Sequence, residues 1–294
     1  MGPGEFAFPT KIWWWKGELW VLDQASSRVT RFRESGELVS THTLNALGLR
    51  FRASDIEVAD DGSVISTRWL GSAELMEGRA VTPLLYIRPG RIDTIANLDL
   101  SRSIIGIKSP DANRVQVSRN PLSSHDLYAV LSSGQGVVIL NRGARGATLH
   151  WISFSGDTIR SVKVATSPQR VPRSVRDSIL DDHARSAMAS GYAPSLAASR
   201  SLVLKSFNPP EYYPAATGII ADDQANVWVR SAPAGQFVNW MVYDRTGKHV
   251  RTVKIPNTVR IFHVSTSSIL GVQLGEFDES YVVQLQPIRE SATK

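Results

Sequence analysis

Apolar and polar positions alternate with a period of two through three closely similar phrases, "VTRFRESGELVSTHTL" at Val29 to Leu44, "LHWISFSGDTIRSVKVA" at Leu149 to Ala165 and "NWMVYDRTGKHVRTVKIP" at Asn239 to Pro256. The match survives alignment on the turn glycines Gly36, Gly156 and Gly247. Four residues before each stands Phe32, Ile152 or Tyr243; three after stands Val39, Ile159 or Val250; eight after stands Leu44, Val164 or Ile255. A weaker fourth copy has Gly90 with Tyr86 before it and Leu98 after it, and Asp93 breaks the position between. Alternation on both arms of a polar, glycine-bearing turn predicts a β-hairpin, because glycine takes a positive φ at little cost.

Upstream of each hairpin a polar turn leads into a second β-prone run. These runs are "WKGELWVLD" at Trp15 to Asp23, "ADDGSVISTRW" at Ala59 to Trp69, "SSGQGVVILNR" at Ser132 to Arg142 and "ADDQANVWVRS" at Ala221 to Ser231. A fifth, "STSSILGVQL" at Ser265 to Leu274, is followed by the single strand "SYVVQLQPI". The repeated unit is therefore four short antiparallel strands, and units of about 40 to 50 residues are the blades of a β-propeller. The fold class predicted is all-β, one propeller domain over residues 1–294, with four blades complete and a fifth one strand short. Residues 1 to 10 read as a Gly/Pro-rich connector. Between the third and fourth hairpins, residues 172–200 carry Val175, Ile179, Ala184 and Met188 near helical spacing after Pro172, with Gly191 as the stop. This predicts one helical insertion of about four turns at most.

Composition narrows the function classes. The chain of 294 residues is 42% hydrophobic and 20% charged, ordinary for a globular domain. No apolar run reaches the roughly 18 residues of a membrane span. The N-terminus lacks the basic and apolar regions of a secretory signal, which points to a cytoplasmic protein or to a mature form. With no cysteine there is no disulfide, thiolate nucleophile or Cys-ligated metal. The net charge of +6 comes from arginines scattered singly along the chain, without the basic stripe of a nucleic-acid binder, so most of that excess reads as solvated surface. Nucleophile-elbow, HExxH, P-loop and dinucleotide-glycine motifs are all absent from the sequence.

The order "GPGEF", then "GELWVLD" with "RVTRFRESGELV", and later "EYYPAATGIIADDQANVWVR", "WMVYDRTGKHVRTVKIP" and "SILGVQLGEFDESYVVQLQPI" resembles bacterial six-bladed β-propeller proteins of the NHL and TolB-like groups, most closely over residues 208 to 289. The resemblance implies six blades in the complete pattern, with about one blade lacking ahead of "GPGEF". It also implies a periplasmic or exported location, and it supports fold far more than function.

Two kinds of site follow. Certain six-bladed propellers hold a divalent cation on the axis through oxygen ligands from several blades, which makes Asp55, Asp126 and Glu211 the candidate ligands of calcium or zinc in a lactonase-like hydrolase. Asp126 serves equally well as a carboxylate that satisfies backbone amides in a turn. His183, beside Asp181 and Asp182, shares a helix face with neither and reads as solvated. In "WWW", Trp13 and Trp15 share one strand face and Trp14 takes the other, which is what packing between blades requires. The stiff segment "NPPEYYPA" at Asn208 to Ala215 leads into an innermost strand and places Tyr213 at the channel mouth, with Arg52, His125 and Arg260 as further contacts. The reading adopted is a non-enzymatic module that binds an unidentified ligand or protein partner at the loop face, with no resident cofactor. The alternatives are the metal-dependent hydrolase and a scaffold within a larger assembly.

Overall fold

The computed structural model describes residues 5–44, 53–59, 61–68, 74, 80–88, 90–100, 103–109, 114–132, 134–143, 146–233, 235–275 and 279–286. They form five antiparallel blades. Blade 1 contains β1 (Pro9–Trp15), β2 (Glu18–Asp23), β3 (Arg28–Arg33) and β4 (Leu38–Thr43); blade 2 contains β5 (Ala53–Val58), β6 (Val64–Arg68), β7 (Val81–Arg88) and β8 (Arg91–Asp99). A two-stranded hairpin follows, β9 (Ile104–Lys108) and β10 (Val115–Arg119). Blade 3 is β11 (Leu127–Val130), β12 (Val137–Arg142), β13 (Ala147–Ile152) and β14 (Thr158–Val164). After helices α1 (Arg173–Ala189) and α2 (Leu196–Ser206) come blade 4, with β15 (Gly218–Ala221), β16 (Val227–Arg230), β17 (Phe237–Tyr243) and β18 (His249–Pro256), and blade 5. Blade 5 has three strands, β19 (Val259–Val264), β20 (Ile269–Leu274) and β21 (Ser280–Leu285). The sixth blade that the resemblance implies has no counterpart among the described residues.

The turn glycines occupy matching bends. Gly36, Gly156 and Gly247 have φ of 83°, 92° and 79°, and each donates its N–H to the carbonyl three residues earlier, at Arg33, Ser153 and Asp244. Each of these hairpins also carries a bulge just before the turn, at Arg31/Phe32, Trp151/Ile152 and Val242/Tyr243. The weaker copy at Gly90 is a tighter hairpin, β7 to β8, in which Asp93 sits between two arginine partners, Arg88 at 2.7 Å and Arg91 at 2.9 Å. A charge pair on an outer strand explains why the apolar position is lost there.

Alternation buries one face of each sheet against the next. Trp20, Leu22 and Val29 of blade 1 meet Ile56, Val64, Leu85 and Ile87 of blade 2. Blades 2 and 3 share Ile65, Leu84, Val137 and Ile139; blades 3 and 4 share Leu140, Leu149, Val227 and Val229; blades 4 and 5 share Trp240, Val242, Val259 and Ile261. Trp13 and Trp15 pack on Trp20, with ring centroids 5.9 and 5.4 Å away, while Trp14 is 53% exposed on the opposite face. Trp13 and Trp15 therefore serve inter-blade packing as expected, whereas Trp14, expected to pack on the other face, is exposed.

The connection between blades 3 and 4 holds more than the one helix expected. α1 ends where Gly191, at φ 72°, donates its N–H to the Met188 carbonyl, but α2 extends the helical insertion to Ser206, beyond residue 200. Ser195 caps α2 by accepting from the Ala198 N–H at 3.2 Å. The two helices pack on the β9–β10 hairpin through Ile105, Ile107, Leu180, Ala184, Ala187, Val203 and Phe207, a second small core outside the ring. His183 is part of it: the imidazole lies edge-on to Phe207 at 5.8 Å, not in solvent as its sequence neighbours suggest. In a four-stranded antiparallel blade the fourth strand ends where the first begins. Both insertions join a fourth strand to the next first strand, so both lie at the end of the ring where the first strands start. Among the described residues no helix is long and apolar enough to cross a membrane.

Candidate functional site

The mouth of the ring between blades 3 and 4 gathers a polar cluster. The loop from β10 to β11 places Ser123, His125 and Asp126 ahead of the first strand of blade 3. Ser123 Oγ lies 2.6 Å from His125 Nδ1, and the His125 carbonyl accepts from Arg142 Nε at 2.6 Å. Arg142 is the last residue of β12 and only 6% exposed. Its Nη1 crosses to the next blade and donates to the Ala216 carbonyl at 3.1 Å. At the corresponding end of β16, Arg230 Nη1 donates to Thr217 Oγ1 at 3.0 Å. Two guanidinium groups from neighbouring blades thus grip adjacent residues, Ala216 and Thr217, at the start of β15.

Burial and like charge set the ionisation of this cluster. Burial, with the cations Arg142 and Arg119 beside it, holds His125 down to about 4 against the opposing pull of Asp99, so the imidazole is neutral at pH 7. Arg142 is lowered to about 10 by burial despite Asp126 nearby, and Arg230 is lowered by burial alone. Asp126 is raised, chiefly by burial. Both carboxylate oxygens are hydrogen-bonded: Oδ2 accepts from the Asp99 N–H and Oδ1 from Asn141 Nδ2, both at 2.9 Å, while its own N–H donates to the Asp99 carbonyl. Of the two roles open to Asp126 in the sequence, the geometry displays the amide-satisfying one.

The folded pKa of His125 lies below the unfolded value near 6.5, so between about pH 4 and 6.5 the unfolded chain binds the extra proton, and stability falls as pH drops through that window. At pH 5 the loss from this residue is at most about 2 kcal/mol. Urea midpoints recorded from pH 7 to 5 should fall steeply for the wild type and less steeply for His125→Gln; identical slopes would contradict the assignment.

The other sequence candidates are dispersed. Glu211 is exposed and pairs with Arg170 at 2.8 Å. Its segment is pinned by backbone bonds from Val171 N–H to the Glu211 carbonyl and from Tyr213 N–H to the Gln169 carbonyl. Tyr213 is half-buried in that connector, and Arg260 is exposed on β19, on the face of blade 5 turned away from blade 4. No hydrogen bond or ion pair joins His125, Tyr213 and Arg260 among the described residues. Arg52 lies outside the described residues, as does the side chain of Asp55 in β5. Among the described residues no three His, Asp or Glu side chains gather as metal ligands. A cavity of about 160 Å³ between the first turns of α1 and Asn208–Pro209 borders none of His125, Arg142 or Arg230.

Sequence reasoning found His125 and missed Arg142, Arg230 and Ser123. A signal was present: "VISTR", "VVILNR" and "VWVR" each end on arginine, at Arg68, Arg142 and Arg230, so the residue recurs at one position of three blades. Treating scattered arginines as solvated surface hid it. Arg68 keeps the solvated role, half-exposed and paired with Glu74 at 2.6 Å, whereas Arg142 is buried.

The fold and this mouth define a five-bladed β-propeller with a hairpin and helix cap on one end. Solved structures similar to it include virginiamycin B lyase from Staphylococcus aureus, at 10% identity over 97% of this chain and 87% of that one, with a TM-score of 0.41. A member of the duf4221 family from Bacteroides vulgatus matches at 10% identity, with 97% and 81% covered and a TM-score of 0.47. The calcium-binding protein regucalcin from Agrobacterium tumefaciens matches at 8% identity, with 92% and 83% covered and a TM-score of 0.35. At these identities and TM-scores none of the likenesses carries an argument about this chain. No protein-family model matches the chain, and no curated protein matches it.

Proposed function

We propose that this propeller is a binding module that takes a small-molecule ligand at the mouth between blades 3 and 4, beneath the cap. The observation that carries the reading is the convergence there of four separate chain segments, the 120–126 loop, the end of β12, the end of β16 and the 215–217 segment, around Ser123, His125, Arg142 and Arg230. Sites at the loop end of a rigid scaffold, with a few convergent polar groups, are where ligands bind. The neutral imidazole of His125 offers hydrogen bonding without charge, and Ser123 fixes its orientation through Nδ1. The cap supplies Arg119, the last residue of β10, as an outer wall close enough to act on His125.

Equilibrium dialysis of the whole chain against a cell extract, followed by mass spectrometry of retained small molecules, tests the reading. Compounds enriched by the wild type should be lost with His125→Ala when circular dichroism shows that variant folded. Equal retention by both, or enrichment by neither, would overturn the proposal.

A further inference from the structure

We infer that the ligand group held at this mouth is an anionic oxygen group, a carboxylate or phosphate of a small molecule, gripped by Arg142 and Arg230. The inference deepens the binding reading above and rests on it.

Arg142 is the more deeply buried of the two. Its Nε and Nη1 are used by two backbone carbonyls, which are neutral acceptors, and Nη2, buried from solvent, has no acceptor among the described residues. A guanidinium on a residue only 6% exposed, with one buried nitrogen unpaired, is a costly arrangement unless something completes it, because a buried donor left unmade forfeits its full desolvation free energy. The nearby carboxylate does not complete it: Asp126 accepts from the Asp99 N–H and from Asn141, and no hydrogen bond or ion pair joins it to Arg142 among the described residues.

Arg230 points to the same kind of group independently of Arg142. It is half-buried and makes no ion pair among the described residues, and its hydrogen bond goes to a neutral hydroxyl. Arg142 and Arg230 hold consecutive residues, so the two forks approach the same short stretch of backbone from neighbouring blades. With Arg119 also close to His125, the mouth carries three arginines, opposed by Asp126 and Asp99. Burial, with Arg142 and Arg119 beside it, keeps His125 uncharged, so it adds a neutral hydrogen-bonding group beside the cations. Planar guanidinium forks match the two oxygens of a carboxylate or phosphate, and water excluded from the site strengthens the pairing. A neutral sugar or an apolar ligand would leave Arg142 Nη2 and Arg230 without an anionic partner.

The test uses the full chain and two probes, inorganic phosphate and citrate, each read by calorimetry and by thermal shift against sodium chloride of equal ionic strength. Saturable binding of at least one probe is expected; the probe that binds tells a phosphate group from a carboxylate. Arg230→Met should weaken it by about tenfold or more. Arg142→Lys, which keeps the charge and loses the fork, should weaken it too; Arg230→Met carries the test if Arg142→Lys fails to fold. Binding of neither probe beyond the chloride control, or unchanged binding by Arg230→Met, would overturn the inference. If dialysis then still enriched neutral compounds in a His125-dependent manner, the module would stand and the anion assignment alone would fall.

Discussion

Replacing Gly136 with alanine is expected to disrupt blade 3, at a cost of at least about 3 kcal/mol. Gly136 leads into β12 with φ at 136°, a conformation that residues with a Cβ rarely adopt. A Cβ there would sit 2.0 Å from the Ile152 carbonyl oxygen and 2.9 Å from its carbon, and backbone cannot swing aside as a flexible side chain can. Relief requires β12 to part from β13, with which Val137 to Arg142 are paired. β12 feeds two cores at once, since Val137 and Ile139 pack toward blade 2 while Val138 and Leu140 pack toward blade 4. The neighbouring turn also touches blade 4 through Ser132 Oγ, which donates to the Asp222 carbonyl at 2.7 Å. Gly134→Ala is the control: φ there is 65° and a Cβ would meet nothing within 4 Å, so only the left-handed penalty of about 1 to 2 kcal/mol applies. Urea titration of both variants decides the matter. Equal losses would mean that the Ile152 contact is not what fixes this glycine.

Much of the ring was legible because blades are local objects. The hairpins at Gly36, Gly156 and Gly247 declare themselves through alternation and a turn residue, both properties of neighbours in sequence, and the short fifth blade follows from counting strands. The cap was not legible in the same way. Ile105 and Ile107 sit in a five-residue strand with no place in the repeat, and their partners, Leu180, Ala184 and Val203, come from an insertion some 70 residues on or more. A pairing that exists only in the folded molecule leaves no period in either segment. The site was half legible for a related reason. His125 stands out as a rare residue before a strand, whereas Arg142 differs from the other arginines by burial, which no composition reveals. Tyr213 and Arg260, expected as contacts at the channel mouth, stand next to and within first strands, but Arg260 faces outward from blade 5 and Tyr213 is held in a connector. Nearness along the chain to a channel mouth does not decide which way a side chain points.

Asp126→Ala should cost about 3 to 5 kcal/mol, because it removes one partner from a buried charged network and leaves the rest in place. The Asp99 N–H and Asn141 Nδ2 would lose their acceptor, and Arg142 would remain buried with its nearest opposing charge gone. The Asp126 carboxylate ties the end of blade 2 at Asp99 to the start of blade 3, and its loss reaches the His125 loop directly. Asp126→Asn should cost less, since the amide oxygen can still accept one of the two bonds, although its NH2 would face donors on the other side. If the carboxylate's role is the network, added calcium or zinc should leave the wild-type melting temperature unchanged, and both variants should lose stability to the same degree with or without the ion. A saturable rise in melting temperature with either ion, abolished by Asp126→Ala, would instead show that this carboxylate can leave its amide partners for a cation.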